Sequence, residues 1–199
     1  MESRNYIPFD EGKVGKRLSI SGEHSVYKYG ENQVIKFPVG PIYYADPEEA
    51  YQKVSNEARL AESYLRDFIV PFEVLTYIKK GKKKYCIIQK YIEGRPLTIK
   101  DMRDPNLRAE LKRLTDANNI MYNSSGFTVE FFGIKRLVWH AFSPKMENVL
   151  LMPNGKLKII DFGMISDTMM VSSSQSVRFV IQWAVKRQRK LLNLYLSKG

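Results

Sequence analysis

The stretch WHAFSPKMENVLLMPNGKLKIIDFG, residues 139–163, decides the fold. Two apolar runs in it, NVLLM and KLKIID, are joined by a turn that contains Asn154-Gly155, a strong hairpin signal. Such a hairpin returns Asn148 and Asp161, which stand at its outer ends, to one end of the structure. Amide and carboxylate oxygens are ligands that Mg²⁺ accepts. The stretch therefore predicts two oxygen ligands for a divalent metal.

The first half of the chain has the pattern of a small antiparallel sheet. Residues 17–39 alternate apolar and polar positions and predict three strands, and residues 69–78 and 84–92 predict two more. Between them, Asp46 and Pro47 mark a helix start as the N-cap and the first helical residue. The apolar face of this helix repeats at helical spacing and consists of Val54, Ala58, Ala61 and Leu65.

The second half is predicted to be mostly helical. A helix over residues 106–125 precedes the hairpin, and an amphipathic helix from about Gln175 to Leu196 follows it. The change of pattern predicts a boundary near Glu93 to Pro96.

Two charged residues stand inside otherwise apolar patterns. Lys36 ends the strand VIKF, where its charge could reach phosphates, and Glu57 lies within the apolar stripe of the first helix. A carboxylate in such a stripe is expected to meet a cation. Together with Asn148 and Asp161, these residues supply what phosphoryl transfer needs, which is a cation for phosphate oxygens and oxygen ligands for magnesium.

These segments resemble the protein-kinase superfamily. VIKF resembles the strand with the phosphate-binding lysine, CIIQKYIEG resembles the last N-lobe strand and hinge, and ENVLL followed by IIDFG resembles the catalytic-loop asparagine strand and the Asp-Phe-Gly motif. The resemblance spans roughly residues 19–166. It implies an α+β, two-lobed protein-kinase-like fold. The N-lobe, about 1–93, is a five-stranded antiparallel sheet with one helix, the hinge is about 90–96, and a minimal, mostly helical C-lobe is about 97–199.

The resemblance also implies a site for ATP and Mg²⁺. Lys36 would contact the nucleotide phosphates and Glu57 would hold Lys36, with Glu62 as a less favoured substitute. Asn148 and Asp161 would bind the magnesium.

The remaining contacts are carried over in the same way. Lys145 matches the lysine that protein kinases place near the transferred phosphate. Gln89 would stand at the gate of the pocket, and the backbone of Lys90 and Ile92 would bind adenine. The phosphates would be covered by the backbone of Gly22, Glu23, His24 and Ser25.

The catalytic loop departs from the family pattern. The usual aspartate, five residues before Asn148, is replaced by Ser143, and the loss of a general base costs on the order of 10²–10⁴-fold in rate. His140 is one candidate substitute, although a histidine beside aromatic residues is more often a packed one. Glu147 is another, but its position in the family points away from the nucleophile. The glycine-rich loop is also reduced to Gly22.

Three functions fit this pattern. The first is an atypical phosphotransferase, for a protein or a small molecule, that lacks the usual aspartate. The second is a pseudokinase in which bound nucleotide stabilises an interaction surface. The third is a basic accessory factor for nucleic acid. The serines at 172–174 and 176 either accept phosphate in cis or belong to a loop.

The chain is basic, with a formal net charge of +11. The run KKGKKK at 79–84 and the acid-free segment 177–199 concentrate that charge, which predicts either solvated surfaces or a polyanion partner such as RNA or anionic lipid. A single cysteine, Cys86, excludes an internal disulfide and suits a reducing compartment. With no apolar leader and no membrane-spanning run, a cytoplasmic location is expected.

Overall fold

The structure, a computed structural model, describes residues 5–20, 24–39, 46–132, 145–166 and 175–197. The chain divides into two compact units. The N-terminal unit comprises Met1–Ala58 and Val70–Ile92, and the C-terminal unit comprises Arg59–Ile69 and Glu93–Gly199. The lobe boundaries given above stay a prediction. No helix in the described part of the chain is long and apolar enough to cross a membrane.

The N-terminal unit contains the five-stranded antiparallel sheet expected from the sequence. Its strands are β1 (Val14–Ile20), β2 (His24–Tyr29), β3 (Gln33–Pro38), β4 (Phe72–Lys79) and β5 (Lys82–Lys90), in the spatial order β1-β2-β3-β5-β4. β5 lies between β3 and β4, and five consecutive residues of it are buried. Its thiol, Cys86, is fully buried, and burial raises the pKa of that thiol to about 12.

Helix α1 (Pro47–Leu65) begins as the sequence predicts. The Asp46 carboxylate accepts from the backbone N–H of Glu48 at 2.9 Å, which is N-cap geometry. The predicted stripe is buried, and Ala61 and Leu65 are fully inaccessible. The helix therefore owes its position to this apolar face, and Glu57 is buried in line with it.

The C-terminal unit has more strands than the sequence predicts. Besides helices α2 (Pro105–Ser125) and α3 (Gln175–Ser197), it contains a three-stranded sheet and a two-stranded one. The three-stranded sheet has the order β6-β8-β9, with β6 (Arg95–Thr98), β8 (Lys145–Leu151) and β9 (Leu157–Ile159). The two-stranded sheet pairs β7 (Phe127–Val129) with β10 (Met164–Ser166).

Several predicted strand boundaries were wrong by two or three residues, and two of these differences have a clear structural cause. β4 begins at Phe72 rather than at residue 69, because Ile69 instead forms a parallel bridge with Ile159 in the C-terminal unit. β8 begins three residues before Asn148, because Lys145 and Met146 pair with β6. Asn148 is therefore in the middle of a strand instead of at its start.

Candidate functional site

Strand β8 is irregular where Asn148 occurs. Its pairing with β6 jumps by three residues between Pro96 and Leu97, so residues 147–149 have no Cα partner on β6. An interruption of this kind leaves backbone groups to be satisfied elsewhere and re-aims side chains, and such bulges are frequent beside active sites.

Other segments bind the backbone and side chain of Asn148 at this bulge. Its N–H donates to the carbonyl of Phe131 at 3.2 Å, and its own carbonyl accepts from Ile160 at 3.0 Å. The side-chain nitrogen Nδ2 donates to the carbonyl of Glu130 at 2.7 Å. Because that nitrogen is engaged, Oδ1 is the side-chain atom left to serve as a metal ligand.

Asp161 follows directly on the other arm of the hairpin. β9 pairs antiparallel with β8, and the bond from Ile160 to Asn148 continues the ladder by one residue. Asp161 is thus one residue beyond the position opposite Asn148. It is half-buried, and its Oδ1 accepts from the N–H of Gly163 at 3.3 Å.

These two residues suit magnesium better than softer metals. Across the described residues, no group of three or more His, Cys, Asp or Glu side chains is arranged to hold an ion. An amide oxygen with one carboxylate is a small, hard donor set, and Mg²⁺ is commonly held by few protein oxygens with water completing its shell. The role of Asn148 and Asp161 as metal ligands stays a prediction.

The segment that closes the bulge is itself held by buried polar side chains that the sequence analysis missed. Gln188 of α3 accepts from the N–H of Phe131 at 2.9 Å and donates to the carbonyl of Val129 at 2.8 Å. Asn118 of α2 accepts from the N–H of Val129 at 3.0 Å and donates to the Thr128 hydroxyl at 2.8 Å. Both helical side chains are almost fully buried.

A signal for these two residues was present. Gln188 lies at helical spacing with the buried residues Ala184, Leu192 and Tyr195, so it is a polar residue on an apolar face. Such a residue must find partners, but the sequence does not say which.

The predicted phosphate-site pair lies in the N-terminal unit. Lys36, on β3, is only 6% exposed, and Glu57, on α1, is also 6% exposed. Oε1 of Glu57 lies 3.5 Å from Nζ of Lys53, one helical turn earlier. Glu62, the less favoured substitute, is exposed. Burial of both charges is the environment expected for a functional ion pair, and the pairing of Glu57 with Lys36 stays a prediction.

Comparison with known proteins bears on the fold. No protein-family model and no curated protein matches the chain. A solved structure of the Legionella pneumophila Lpg2603 kinase bound to IP6 is similar, with a TM-score of 0.55 at 16% sequence identity. The match covers 90% of this chain and 59% of that one, so the chain spans less than two thirds of its length. The chain has a kinase-like fold.

In this kinase-like fold, Gln89 and Lys90 lie at the end of β5, which is the last strand of the N-terminal sheet in chain order. Gln89 is 3% exposed, and its Nε2 donates to the carbonyl of Val70 at 3.5 Å. The N–H of Lys90 donates to Pro71 at 3.2 Å, so that group is already engaged. Ile92 is half-buried. Their predicted contact with adenine stays a prediction.

The start of β2 belongs to the predicted phosphate loop. His24 is buried, and its Nε2 lies 3.4 Å from the hydroxyl of Tyr85 on β5. Ser25 is half-buried and pairs with Phe37. The His24 side chain is therefore part of the sheet packing, and the predicted contact of its backbone with a nucleotide stays a prediction.

The remaining predictions fall at or beyond the edges of the description. Lys145 is exposed at the start of β8 and pairs with Thr98. Gly22, Glu23, His140 and Ser143, together with the serines at 172–174, lie outside the described residues, as does the side chain of Ser176.

Proposed function

We propose that the chain binds Mg·ATP and transfers its terminal phosphoryl group, as an atypical kinase without the usual catalytic aspartate. The observation that supports this proposal is the bulge at Asn148, where Nδ2 of that residue is engaged by Glu130, with Asp161 one residue beyond the position opposite Asn148 on the other arm of the β8–β9 hairpin. The kinase-like fold supports it, because that fold is built around such a hairpin.

The residues divide the work by their chemistry. Asn148 and Asp161 would hold Mg²⁺, which when bound neutralises charge on the phosphate oxygens. Lys36 would add a positive charge to those oxygens, and Glu57 would keep the Lys36 side chain extended. Positioning and charge neutralisation provide most of the catalysis in phosphoryl transfer, so a weak activity is expected even with Ser143 at the usual base position.

Two measurements test this function. Mg·ATP should raise the melting temperature of the wild-type protein but not of Asp161→Ala, whereas Asp116→Ala, an exposed acidic control on α2, should respond like the wild type. The purified protein should label itself or hydrolyse ATP above the Asp161→Ala background. If ATP binds without turnover, the chain is a nucleotide-binding pseudokinase. If Mg·ATP gives no shift, the nucleotide site is refuted.

A second candidate function is polyphosphate binding at α3, and a specific surface favours it. Lys186, Arg187 and Lys190 line a groove of about 750 Å³ together with Trp183 and Leu194. The guanidinium of Arg187 lies 4.9 Å from the centre of the Trp183 ring. α3 contains no acidic residue, so an anion meets no repulsion from the helix itself. The similar Lpg2603 structure is bound to IP6, which makes IP6 a suitable probe.

Calorimetry with IP6 separates this surface from the other exposed cations of the C-terminal unit. We expect IP6 binding to be lost when Lys186, Arg187 and Lys190 are all changed to Gln. It should be retained when Lys100, Arg103 and Lys156, three exposed cations elsewhere in the C-terminal unit, are changed in the same way. Equal binding by the two triple variants would refute the α3 site.

A further inference from the structure

Helix α3 carries apolar residues on two sides. One set is buried in the C-terminal unit and consists of Ala184, Val185, Leu192 and Tyr195. A second set, which lies roughly opposite to the first at helical spacing, consists of Trp183, Leu191 and Leu194. A helix that packs on a domain needs one apolar face. Packing against the described residues therefore accounts for the first set and not for the second.

The second set lines the groove on α3. Every described residue that lines this groove belongs to α3 itself. Leu194 is 37% exposed, and Trp183 and Leu191 are half-buried. Single exposed apolar residues are common on protein surfaces, whereas several that share one surface mark a place where another molecule binds.

Three cations stand among these apolar residues. Lys186 and Lys190 are exposed, and Arg187 is half-buried with its guanidinium 4.9 Å from the centre of the Trp183 ring. The aliphatic stems of such side chains cover apolar surface while their charged ends stay in water. The outer face of α3 thus combines hydrocarbon with positive charge over about three helical turns, and the helix contains no acidic residue.

We propose that this outer face of α3 docks on an anionic membrane surface. The cations would meet the lipid headgroups, and Trp183, Leu191 and Leu194 would enter the outer part of the acyl region. Helices with Lys and Arg beside Trp and Leu lie in the plane of the membrane interface in this way. The inference rests on the second candidate function, anion binding at α3, and assigns the anions to lipids. It is independent of the Mg·ATP site.

The apolar residues favour a bilayer over other polyanions. A free inositol polyphosphate has only polar groups, so it would use the cations and leave the apolar set in water. RNA can stack a base on an aromatic ring such as Trp183, but it gains little from the aliphatic Leu191 and Leu194. A bilayer offers anionic headgroups and hydrocarbon side by side, and it therefore matches the whole face.

The charged half of the face is tested by cosedimentation with phosphatidylcholine vesicles, with and without phosphatidylserine. The wild-type protein should bind the vesicles that contain phosphatidylserine, and added salt should weaken that binding because it screens the charges. We expect about 10²-fold weaker binding when Lys186, Arg187 and Lys190 are all changed to Gln, since each cation at such a surface contributes about fivefold. The control triple variant elsewhere in the C-terminal unit should bind nearly as well as the wild type.

The apolar half is tested by Leu194→Asn, with Ile120→Asn as its control because Ile120 is an apolar residue of α2 that is 58% exposed. Leu194→Asn should weaken vesicle binding by roughly 5–20-fold and leave IP6 binding unchanged, and Ile120→Asn should alter neither. In Trp139→Phe protein, where Trp183 is the only tryptophan, vesicles should shift the emission of Trp183 to shorter wavelength, and brominated acyl chains should quench it.

Three results would overturn the membrane proposal. The first is vesicle binding that the α3 triple variant retains, or Trp183 emission that bound vesicles leave unchanged. The second is binding of IP6 without binding of vesicles, which would leave the second candidate function intact. The third is binding of single-stranded RNA, insensitive to Leu194→Asn, by a protein that does not bind vesicles. A wild-type protein that binds neither IP6 nor vesicles would refute the candidate function as well.

Discussion

The β4–β5 and β8–β9 hairpins can be compared directly, since each closes at a glycine with positive φ, Gly81 at 73° and Gly155 at 79°. β5 pairs without a register shift with both of its neighbours, β3 and β4. β8 also has two neighbours, but its pairing with β6 fails over residues 147–149. A regular ladder satisfies its own backbone groups, whereas an interrupted one must recruit other groups. Here the groups are supplied by Glu130–Phe131, which we call the recruited segment. Its two backbone carbonyls accept hydrogen bonds from Asn148 on β8.

The largest expected effect is at Gln188, which holds the recruited segment. Gln188→Leu fills a similar volume but leaves the buried N–H of Phe131 and carbonyl of Val129 without their partner. Each such group costs about 1–3 kcal/mol, so for the two groups we expect a loss of roughly 2–6 kcal/mol in the free energy of unfolding. Chemical denaturation measures it.

The matched control is Gln182→Leu on the exposed part of the same helix. It should change the unfolding free energy by less than about 0.5 kcal/mol. If the two variants were equally stable, the recruited segment would not depend on α3, and the contrast between the two hairpins would lose its energetic basis.

The regular hairpin was predictable from sequence and the irregular one only in part. The apolar runs at 69–78 and 84–92, on either side of the lysine-rich turn, predict β4 and β5. The Asn-Gly turn likewise predicts that Asn148 and Asp161 share one end of their hairpin. β6, β7 and β10 are three or four residues long and contain no complete alternating pattern, so they could not be predicted.

The site residues were also predictable from the sequence only in part. Lys36 and Glu57 stand out because they are charged within apolar runs, and both are buried. Glu130, Asn118 and Gln188 form hydrogen bonds with partners that are distant along the chain, such as Phe131 and Gln188, which are 57 positions apart. No local pattern encodes such pairings.

A smaller effect on stability is expected at β6, the strand whose pairing with β8 is interrupted at the bulge. Arg95 on β6 forms two hydrogen bonds to Asp101, at 2.8 and 2.5 Å, and these lower the pKa of Asp101 to about 2 from an ordinary 3.8. The folded state thus gains stability above pH 4 that is lost as the pH falls through about 2. Because Arg95 is more than half exposed, we expect only about 1 kcal/mol.

Asp101→Asn tests this pair. Its destabilisation should be full at pH 7 and should shrink as the pH falls from 4 towards 2 in denaturation experiments. Asp116→Asn, an exposed partner of Lys112 on α2, serves as the control and should show little effect at any pH. A destabilisation by Asp101→Asn that did not vary with pH would contradict the assigned charge interaction.

The β4–β5 and β8–β9 turns should respond almost alike to replacement of their glycines by alanine. An added Cβ meets nothing within 4 Å at either Gly81 or Gly155, so the cost of alanine is only the strain of positive φ, about 1–2 kcal/mol. We expect Gly81→Ala and Gly155→Ala to lose similar stability in thermal denaturation and to keep their response to Mg·ATP, since Asn148 and Asp161 are at the far end of the hairpin from Gly155. A lost response in Gly155→Ala would mean that the turn is part of the site.

The most direct test of the central claim is the metal dependence of nucleotide binding, measured by calorimetry. ATP should bind the wild-type protein with Mg²⁺ and much more weakly without it. Asn148→Ala and Asp161→Ala should each remove the metal-dependent part, and Asn154→Ala, in the turn of the same hairpin, should keep it. Binding of ATP that is equally strong with and without Mg²⁺, or that is unchanged in both site variants, would contradict the account.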